Sequence, residues 1–169
     1  LVCRVSATVH VPQGTLVTGG GDSPIQVIDV GGRVDLASDD GSIRVEGAKG
    51  SVRVATSNGG IAVADSAGDL SLSADNGRIT TRAVRVSSLV ATTSNGRIAL
   101  DLAAAPDSVV ARSSNGSITV LVPDEEGVAY ATATSSDNGG VDELIRTDPT
   151  SERTIEARTD NGGISLRYR

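Results

Sequence analysis

The chain has 169 residues, of which 38% are hydrophobic and 21% charged, a balance typical of a folded domain rather than a disordered one. Tyr130 and Tyr168 are its only tyrosines, and Phe, Trp and Met are absent, so aliphatic side chains, alanine and threonine must build the core. Such a core suits a fold that repeats a small cross-section and argues against a large mixed α/β enzyme. Because the net charge is −6 and the basic residues are scattered singly, nucleic-acid binding is not predicted either.

Residues 1–15 are expected to form an N-terminal capping strand. Residues 5–11 alternate apolar and polar side chains, as an edge strand does when it covers the open end of a stack. Cys3, the single cysteine, lies here, and a buried thiol and a partner upstream both stay open for it. No stretch reaches the roughly 20 apolar residues of a membrane span, so any membrane attachment is expected through a segment absent from this sequence.

Seven copies of one short unit follow. Each copy has Ser or Asp, then Asn or Asp, then Gly, with Ile or Val two residues later, and successive glycines lie 18 to 23 residues apart. The residues before these glycines form one predicted turn row: Asp40, Asn58, Asn76, Asn95, Asn115, Asn138 and Asn161. An eighth, degenerate copy precedes them, in which Leu16 and Thr18 match the first strand and Ile25 and Val27 the second. Repeats of this length indicate a stacked architecture.

Each unit contains two short strands. Apolar residues or threonine stand seven and five residues before the glycine and two and four residues after it, with polar side chains between them. This period of two is typical of β-strands with one buried face. Glu143 is the only charged residue in these inward columns. The sequence therefore predicts an all-β solenoid, or β-roll, of about eight coils, built as a single domain over residues 1–169 with the repeat coils over residues 16–169.

The constant Asn-Gly turns predict a structural row along one edge. The glycine is expected to take a positive φ, and the stacked Asn amides are expected to bond to one another about 4.8 Å apart. Calcium binding is the alternative, because aspartates occur in several turns: Asp39, Asp40, Asp75, Asp137 and Asp160. Serines interrupt the row, however, and hard cations need several oxygen ligands at once, so no metal or cofactor is predicted.

The opposite edge varies in length. The segment between units grows from six residues at 46–51 to eleven at 121–131 and at 144–154, and insertions collect where partners bind. Counting coils in chain order places these two long loops on adjacent rungs near the C-terminal end. Possible partner-binding residues are Asp124, Glu125, Glu126, Tyr130 and Arg146. The alternative is that the loops cap the stack, with Tyr130 covering the last coils.

No catalytic residues are predicted. The single His10 lies on the capping strand, and neither a nucleophile motif nor a phosphate loop occurs. Carboxylates are the remaining enzymatic option, because glycoside hydrolysis needs two carboxyl groups roughly 5 to 9.5 Å apart. Asp142 with Glu143, and the three acids at 124–126, are candidates by proximity. Solvated loop acids are the simpler interpretation.

The repeated Ser/Asp-Asn-Gly-x-Ile-x-Val units, with Gly-x-Val strands between them as at residues 32–36 and 50–54, resemble a bacterial family of adhesin-like domains of unknown function. That family is related to head domains with a Gly-Ile-Asn signature. The strand and Val-Pro-x-Gly turn at residues 9–14 are similar as well, and the likeness runs from about residue 5 to residue 168. The resemblance implies a right-handed β-solenoid displayed outside the membrane behind an N-terminal anchor, and an upstream disulfide partner for Cys3.

Two functional hypotheses from different classes therefore follow from the sequence. The first is a noncatalytic module on the extracellular or envelope side of a bacterial membrane, a spacer or adhesion platform whose partner is an unknown protein or glycan. The alternative is a carbohydrate-active solenoid enzyme, a hydrolase or lyase, that uses loop carboxylates.

Overall fold

The computed structural model describes residues 14–169, and the predicted capping strand, with Cys3 and His10, lies outside the described residues. Sixteen short strands follow one another in the described part of the chain, without a helix between them. They are β1 (Val17–Gly20), β2 (Ile25–Ile28), β3 (Val34–Ser38), β4 (Ile43–Glu46), β5 (Val52–Thr56), β6 (Ile61–Ala64), β7 (Leu70–Ala74), β8 (Ile79–Arg82), β9 (Ser88–Asn95), β10 (Ile98–Asp101), β11 (Ser108–Asn115), β12 (Ile118–Val122), β13 (Ala131–Asn138), β14 (Val141–Leu144), β15 (Thr154–Asn161) and β16 (Ile164–Tyr168).

The strands form two parallel sheets that face each other across one core. The odd-numbered strands make the first eight-stranded sheet and the even-numbered strands make the second. Each odd-numbered strand and the even-numbered strand after it form one coil, numbered 1 to 8 in chain order. Equivalent residues pair in register from coil to coil, as Ile43 does with Ile61 and Ile61 with Ile79. The predicted all-β solenoid of about eight coils is confirmed.

The inward columns form a continuous apolar core. From coil 2 to coil 6, the residues two positions after each turn glycine are isoleucines that are at most 1% exposed. They are Ile43, Ile61, Ile79, Ile98 and Ile118. Since each coil contributes only a few aliphatic side chains, the core gains area by repetition, as hydrophobic burial is roughly additive in area.

Coil 1 differs from the predicted register by one residue. The sequence predicts Leu16 beside Val34, but Val17 takes that place, and Leu16 is 56% exposed. In the same way Gly19, rather than Thr18, takes the next inward position. The second strand of this coil has the predicted register. The prediction is wrong for the first strand because the turn of coil 1 lacks Asn-Gly, so the constant spacing of the later turns does not apply to it.

The last two coils stack in the reverse of their chain order. In the first sheet β15 lies between β11 and β13, and in the second sheet β16 lies between β12 and β14. Ile155 of coil 8 therefore pairs with Val109 of coil 6 on one side and with Thr132 of coil 7 on the other. The expectation of chain-order stacking is wrong here, because coil 8 is inserted in the stack and coil 7 ends it.

The side chains of coil 7 explain this order. Thr132, Thr134 and Glu143 occupy columns that are apolar in other coils, and both threonine hydroxyls donate to the Glu143 carboxylate. A carboxylate closed between two apolar coils would lose its water without adequate replacement. The equivalent residues of coil 8 are apolar and at most 1% exposed: Ile155, Ala157, Ile164 and Leu166. The reversed order keeps the polar coil at the end and the apolar coil inside.

Candidate functional site

The turn row forms a hydrogen-bonded amide ladder along one edge. Each Asn side chain donates from Nδ2 to the Oδ1 atom of the neighbouring coil, over distances of 2.8 to 3.0 Å. The ladder begins at Asp40, whose carboxylate accepts from Asn58. At the other end Asn138 donates to Asn161 and Asn161 to Asn115, so the ladder follows the reversed coil order. These residues lie in one row, as the sequence predicts.

Of the seven turn glycines only Gly162 has a positive φ, of 157°, so close approach explains the row better than a left-handed backbone does. The expected positive φ is not found at Gly59 or Gly77. A β-carbon on Gly77 would lie 1.9 Å from the carbonyl oxygen of Gly59, and one on Gly59 would lie 2.0 Å from that of Gly41. Any side chain at these positions would therefore collide with the backbone of the neighbouring coil, which corrects the predicted reason for the glycine.

A second row, of hydroxyl groups, runs beside the amides and was not found from the sequence. The Thr93 hydroxyl donates to the Gly77 carbonyl at 3.1 Å, and the Thr159 hydroxyl donates to the Gly116 carbonyl at 2.9 Å. Ser136 of coil 7 donates to the Gly162 carbonyl at 2.7 Å. These hydroxyls satisfy carbonyls in the turns, where a buried polar group without a partner would be costly. The signal is Ser or Thr three residues before most of the glycines.

The two long loops cross the inserted coil. The first, at residues 123–130, leaves coil 6 and must pass coil 8 before β13 begins, and the second, at 145–153, returns from coil 7 to coil 8. The sequence predicts that the two loops follow one another on adjacent coils in chain order. The structure differs, because coil 8 lies between coil 6 and coil 7. The length of these loops has a structural reason, since passing an extra strand adds about 4.8 Å to the distance that each loop spans along the stack.

Arg146 joins the two loops. Its guanidinium group lies 2.6 Å from the Asp124 carboxylate and donates to the Glu125 carbonyl at 2.8 Å. The same group lies 5.6 Å from the centre of the Tyr168 ring, and the Arg146 backbone N–H donates to the Tyr168 hydroxyl at 2.7 Å. Three of the predicted binding residues are thus brought together: Asp124, Glu125 and Arg146. Glu126 is exposed beside them.

Tyr130 has a different role from the one predicted. Its side chain is 1% exposed and belongs to the continuous core, so a partner cannot use it as an exposed anchor. Burial raises its pKa to about 12, and the nearby Arg153 guanidinium opposes part of that increase. Within residues 14–169 its hydroxyl has no hydrogen-bond partner. Tyr130 closes the core beneath the loops, as the capping alternative describes.

Arg153 anchors the returning loop. Its Nη1 atom lies 2.7 Å from Asp107 Oδ1 and donates to the carbonyls of Ala105 and Pro106 at 3.1 and 2.8 Å. A shallow groove runs beside this anchor, lined by Asp107, Val128, Asp148, Glu152 and Arg153, among others. Donation from the Thr150 hydroxyl and backbone N–H lowers the pKa of Asp148. The long loops therefore form an ordered, polar surface.

The carboxylates of Asp142 and Glu143, the first pair considered for catalysis, do not converge. Glu143 points inward to Thr132 and Thr134, whereas Asp142 lies on the outer face of β14, 3.9 Å from Arg167. Neighbouring residues of a strand face opposite sides, so these two cannot act together on one bond. Among residues 14–169, no three His, Cys, Asp or Glu side chains are placed to share a metal ion. The same part of the chain contains no helix that is long and apolar enough to cross a membrane.

The parallel sheets, the fixed amide edge and the variable loop edge define a repetitive β-solenoid module. The chain belongs to the Toastrack DUF4097 family, whose family model matches residues 4–167. Neither a curated protein nor a solved structure matches the chain.

Proposed function

We propose that the chain is a noncatalytic module of the bacterial cell envelope, a stiff spacer that presents its variable C-terminal end to a protein or glycan. The resemblance to adhesin-like domains supports the location outside the membrane. The observation that carries the proposal is the ordering of the two long loops by Arg146, which joins Asp124, the Glu125 carbonyl and Tyr168. Loops held in one shape can bind a partner without a large ordering cost.

The solenoid body supports the role of a spacer. In-register parallel pairing links coil 1 to coil 7, and one continuous apolar core runs from coil 1 to coil 8, so bending between coils would break backbone hydrogen bonds and open apolar contacts. In a stack of this kind each coil contacts only its neighbours, and the length of the body is set by the number of coils. A rigid body of constant cross-section separates whatever is attached to its two ends.

The proposed location can be tested on intact bacteria that express the full-length protein. We expect an antibody against residues 123–153 to label intact cells, and external protease to remove the epitope. A cytoplasmic protein of the same cells must stay protected in the experiment. If labelling and proteolysis require lysed cells, the proposed location is wrong.

The proposed binding surface can be tested with isolated bacterial cell walls and a glycan array as probes. We expect the triple variant Asp124→Asn, Glu125→Gln, Glu126→Gln to lose binding at least tenfold. A matched variant that neutralises three exposed acids elsewhere, Asp22→Asn, Asp39→Asn and Asp75→Asn, should bind as the wild type does. Equal binding by both variants, or no binding by the wild type, would contradict the loop surface. Release of sugar from the walls would instead support the carbohydrate-active enzyme.

A further inference from the structure

The end of the stack at coil 7 has an open strand edge. Within residues 14–169, β13 and β14 are the last strands of their sheets, and each pairs with one neighbour only. The Ala131 N–H donates to the Arg153 carbonyl of the neighbouring coil at 2.8 Å. Since alternate residues of a parallel strand face the same neighbour, Thr132, Thr134 and Ser136 direct their backbone N–H and C=O groups to the open edge.

The side chains of β13 leave this edge accessible. The residues on its outer face are small, and Ala133 and Ser135 are exposed together with Asp137. On the neighbouring edge strand Val141 and Leu144 are 41% and 62% exposed. An unpaired edge of this kind is a template for an added strand, with backbone bonds giving affinity and side chains giving specificity.

The excess negative charge of the chain is concentrated at this end. Residues 123–148 contain seven carboxylates and one arginine, a net charge of −6, which equals the net charge of the whole chain. The carboxylates are Asp124, Glu125, Glu126, Asp137, Asp142, Glu143 and Asp148. The rest of the molecule is balanced. A second copy docked through its own coil 7 would therefore bring two net negative ends together, which is unfavourable, whereas a basic segment would be attracted.

We propose that β13 binds a basic peptide segment in extended conformation, which adds to the first sheet as its ninth strand. The backbone of the segment pairs with Thr132, Thr134 and Ser136, and its Lys or Arg side chains lie near the carboxylates of coil 7 and its loops. This inference deepens the proposed function and rests on it, because it assigns the partner class at the C-terminal end. It differs from the proposed loop surface because the backbone groups of β13 pair with the partner, whereas the loop surface binds through the acids at 124–126.

The test uses three capped nine-residue peptides and the full chain. The first alternates lysine and valine, the second has the same sequence with N-methylated alternate amides, and the third replaces lysine with glutamate. We expect the lysine peptide to bind, with NMR shifts concentrated in residues 131–138 and with weaker binding at high salt. The N-methylated peptide should bind at least tenfold more weakly because its edge hydrogen bonds are blocked, and the glutamate peptide should not bind.

Two protein variants separate backbone pairing from side-chain effects. Thr134→Pro removes an N–H that faces the open edge, while Thr134→Val keeps that N–H and removes only the hydroxyl. We expect the proline variant to lose lysine-peptide binding about tenfold and the valine variant to retain it. If the proline variant unfolds, the N-methylated peptide with the wild-type protein still decides the question.

Several results would overturn the proposal: equal binding of the N-methylated peptide, absence of binding by the lysine peptide, or shifts outside coil 7 and its loops. A concentration-dependent dimer that occupies β13 instead of the peptide would identify a second copy as the occupant and would also overturn it. None of these results would affect cell-wall binding by the acids at 124–126, so failure of this proposal can be distinguished from failure of the proposed function.

Discussion

The backbone of each turn glycine lies against the backbone of a neighbouring coil, and this contact leads to a matched pair of substitutions. Gly77→Ala places a β-carbon 1.9 Å from the Gly59 carbonyl oxygen, whereas a β-carbon on Gly140 has no heavy atom within 4 Å. We expect Gly77→Ala to lower the free energy of unfolding by about 1–3 kcal/mol, because two backbones must separate. Gly140→Ala should change it by less than about 0.5 kcal/mol. Chemical denaturation of both variants tests this, and equal stabilities would contradict the close-approach explanation.

The buried hydroxyl of Tyr130 predicts a dependence on alkaline pH. Its pKa is raised by burial from 10.0 to about 12, so the neutral form is favoured in the folded state. A raised pKa contributes stability that is complete below pH 10 and is lost as the pH rises toward 12, on the order of 2 kcal/mol in all. We expect Tyr130→Phe to remove this loss and to keep the stability at pH 7, because the hydroxyl has no partner in the described part of the chain.

Melting curves of the wild type and Tyr130→Phe between pH 8 and pH 12 check this prediction. Tyr168→Phe is the control, since Tyr168 is only half-buried and its replacement leaves the buried Tyr130 hydroxyl in place, so the alkaline loss should remain. If the wild type and Tyr130→Phe lose stability in parallel above pH 10, Tyr130 is not the responsible group.

At the level of elements, the two long loops allow coil 7 to end the stack. Shortening both loops to the six-residue length of residues 46–51 should prevent the chain from passing coil 8 and force the coils into chain order. Glu143 would then lie between two apolar coils, at a cost of several kcal/mol. We expect the shortened protein to be strongly destabilised, with substantial recovery when Thr132→Val, Thr134→Val and Glu143→Leu are added.

Thermal melting and hydrogen exchange measure the outcome. In the wild type the amides of β15 should exchange more slowly than those of β13, because β15 is paired on both edges. In the shortened protein with the three apolar substitutions, the order of protection should reverse. A shortened protein that is as stable as the wild type without those substitutions would show that loop length does not determine the coil order.

The strands and inward columns could be predicted because each depends on local alternation and a constant spacing. The order of the last two coils could not, because the ladder atoms of all coils are nearly equivalent and any coil can pair with any other. The polar residues Thr132, Thr134 and Glu143 indicate which coil ends the stack. They can be interpreted in this way only if the coils are not assumed to stack in chain order. The surface at Arg146 also depends on contacts between distant segments, which repeat periodicity does not encode.

At the level of the whole molecule, the number of coils sets the length of the solenoid. Deleting residues 52–69 removes one coil and joins Ser51 to Leu70, which takes the place of Val52 in the ladder. We expect the deletion variant to fold with one cooperative transition and to be shorter by about 4.8 Å, the spacing of neighbouring strands. Solution scattering measures the change in maximum dimension.

A deletion of half a coil, residues 52–60, is the control for that experiment. It moves the Asn turns of every later coil to the opposite edge and breaks the amide ladder, so we expect it to unfold. If the half-coil deletion is as stable as the full-coil deletion, the ladder does not define the edges of the solenoid. An unchanged length after the full-coil deletion would contradict the spacer.

The inserted coil also determines the order in which the molecule can be assembled. During synthesis the ribosome releases residues 131–144 before residues 154–168, yet the native neighbour of β13 and β14 is formed by the later segment. Docking of the earlier segment on coil 6 at that moment would place it in the position that coil 8 must take. The polar residues of the earlier segment weaken such premature docking. The last two coils of the stack can pair in their native order only when both segments have left the ribosomal exit tunnel.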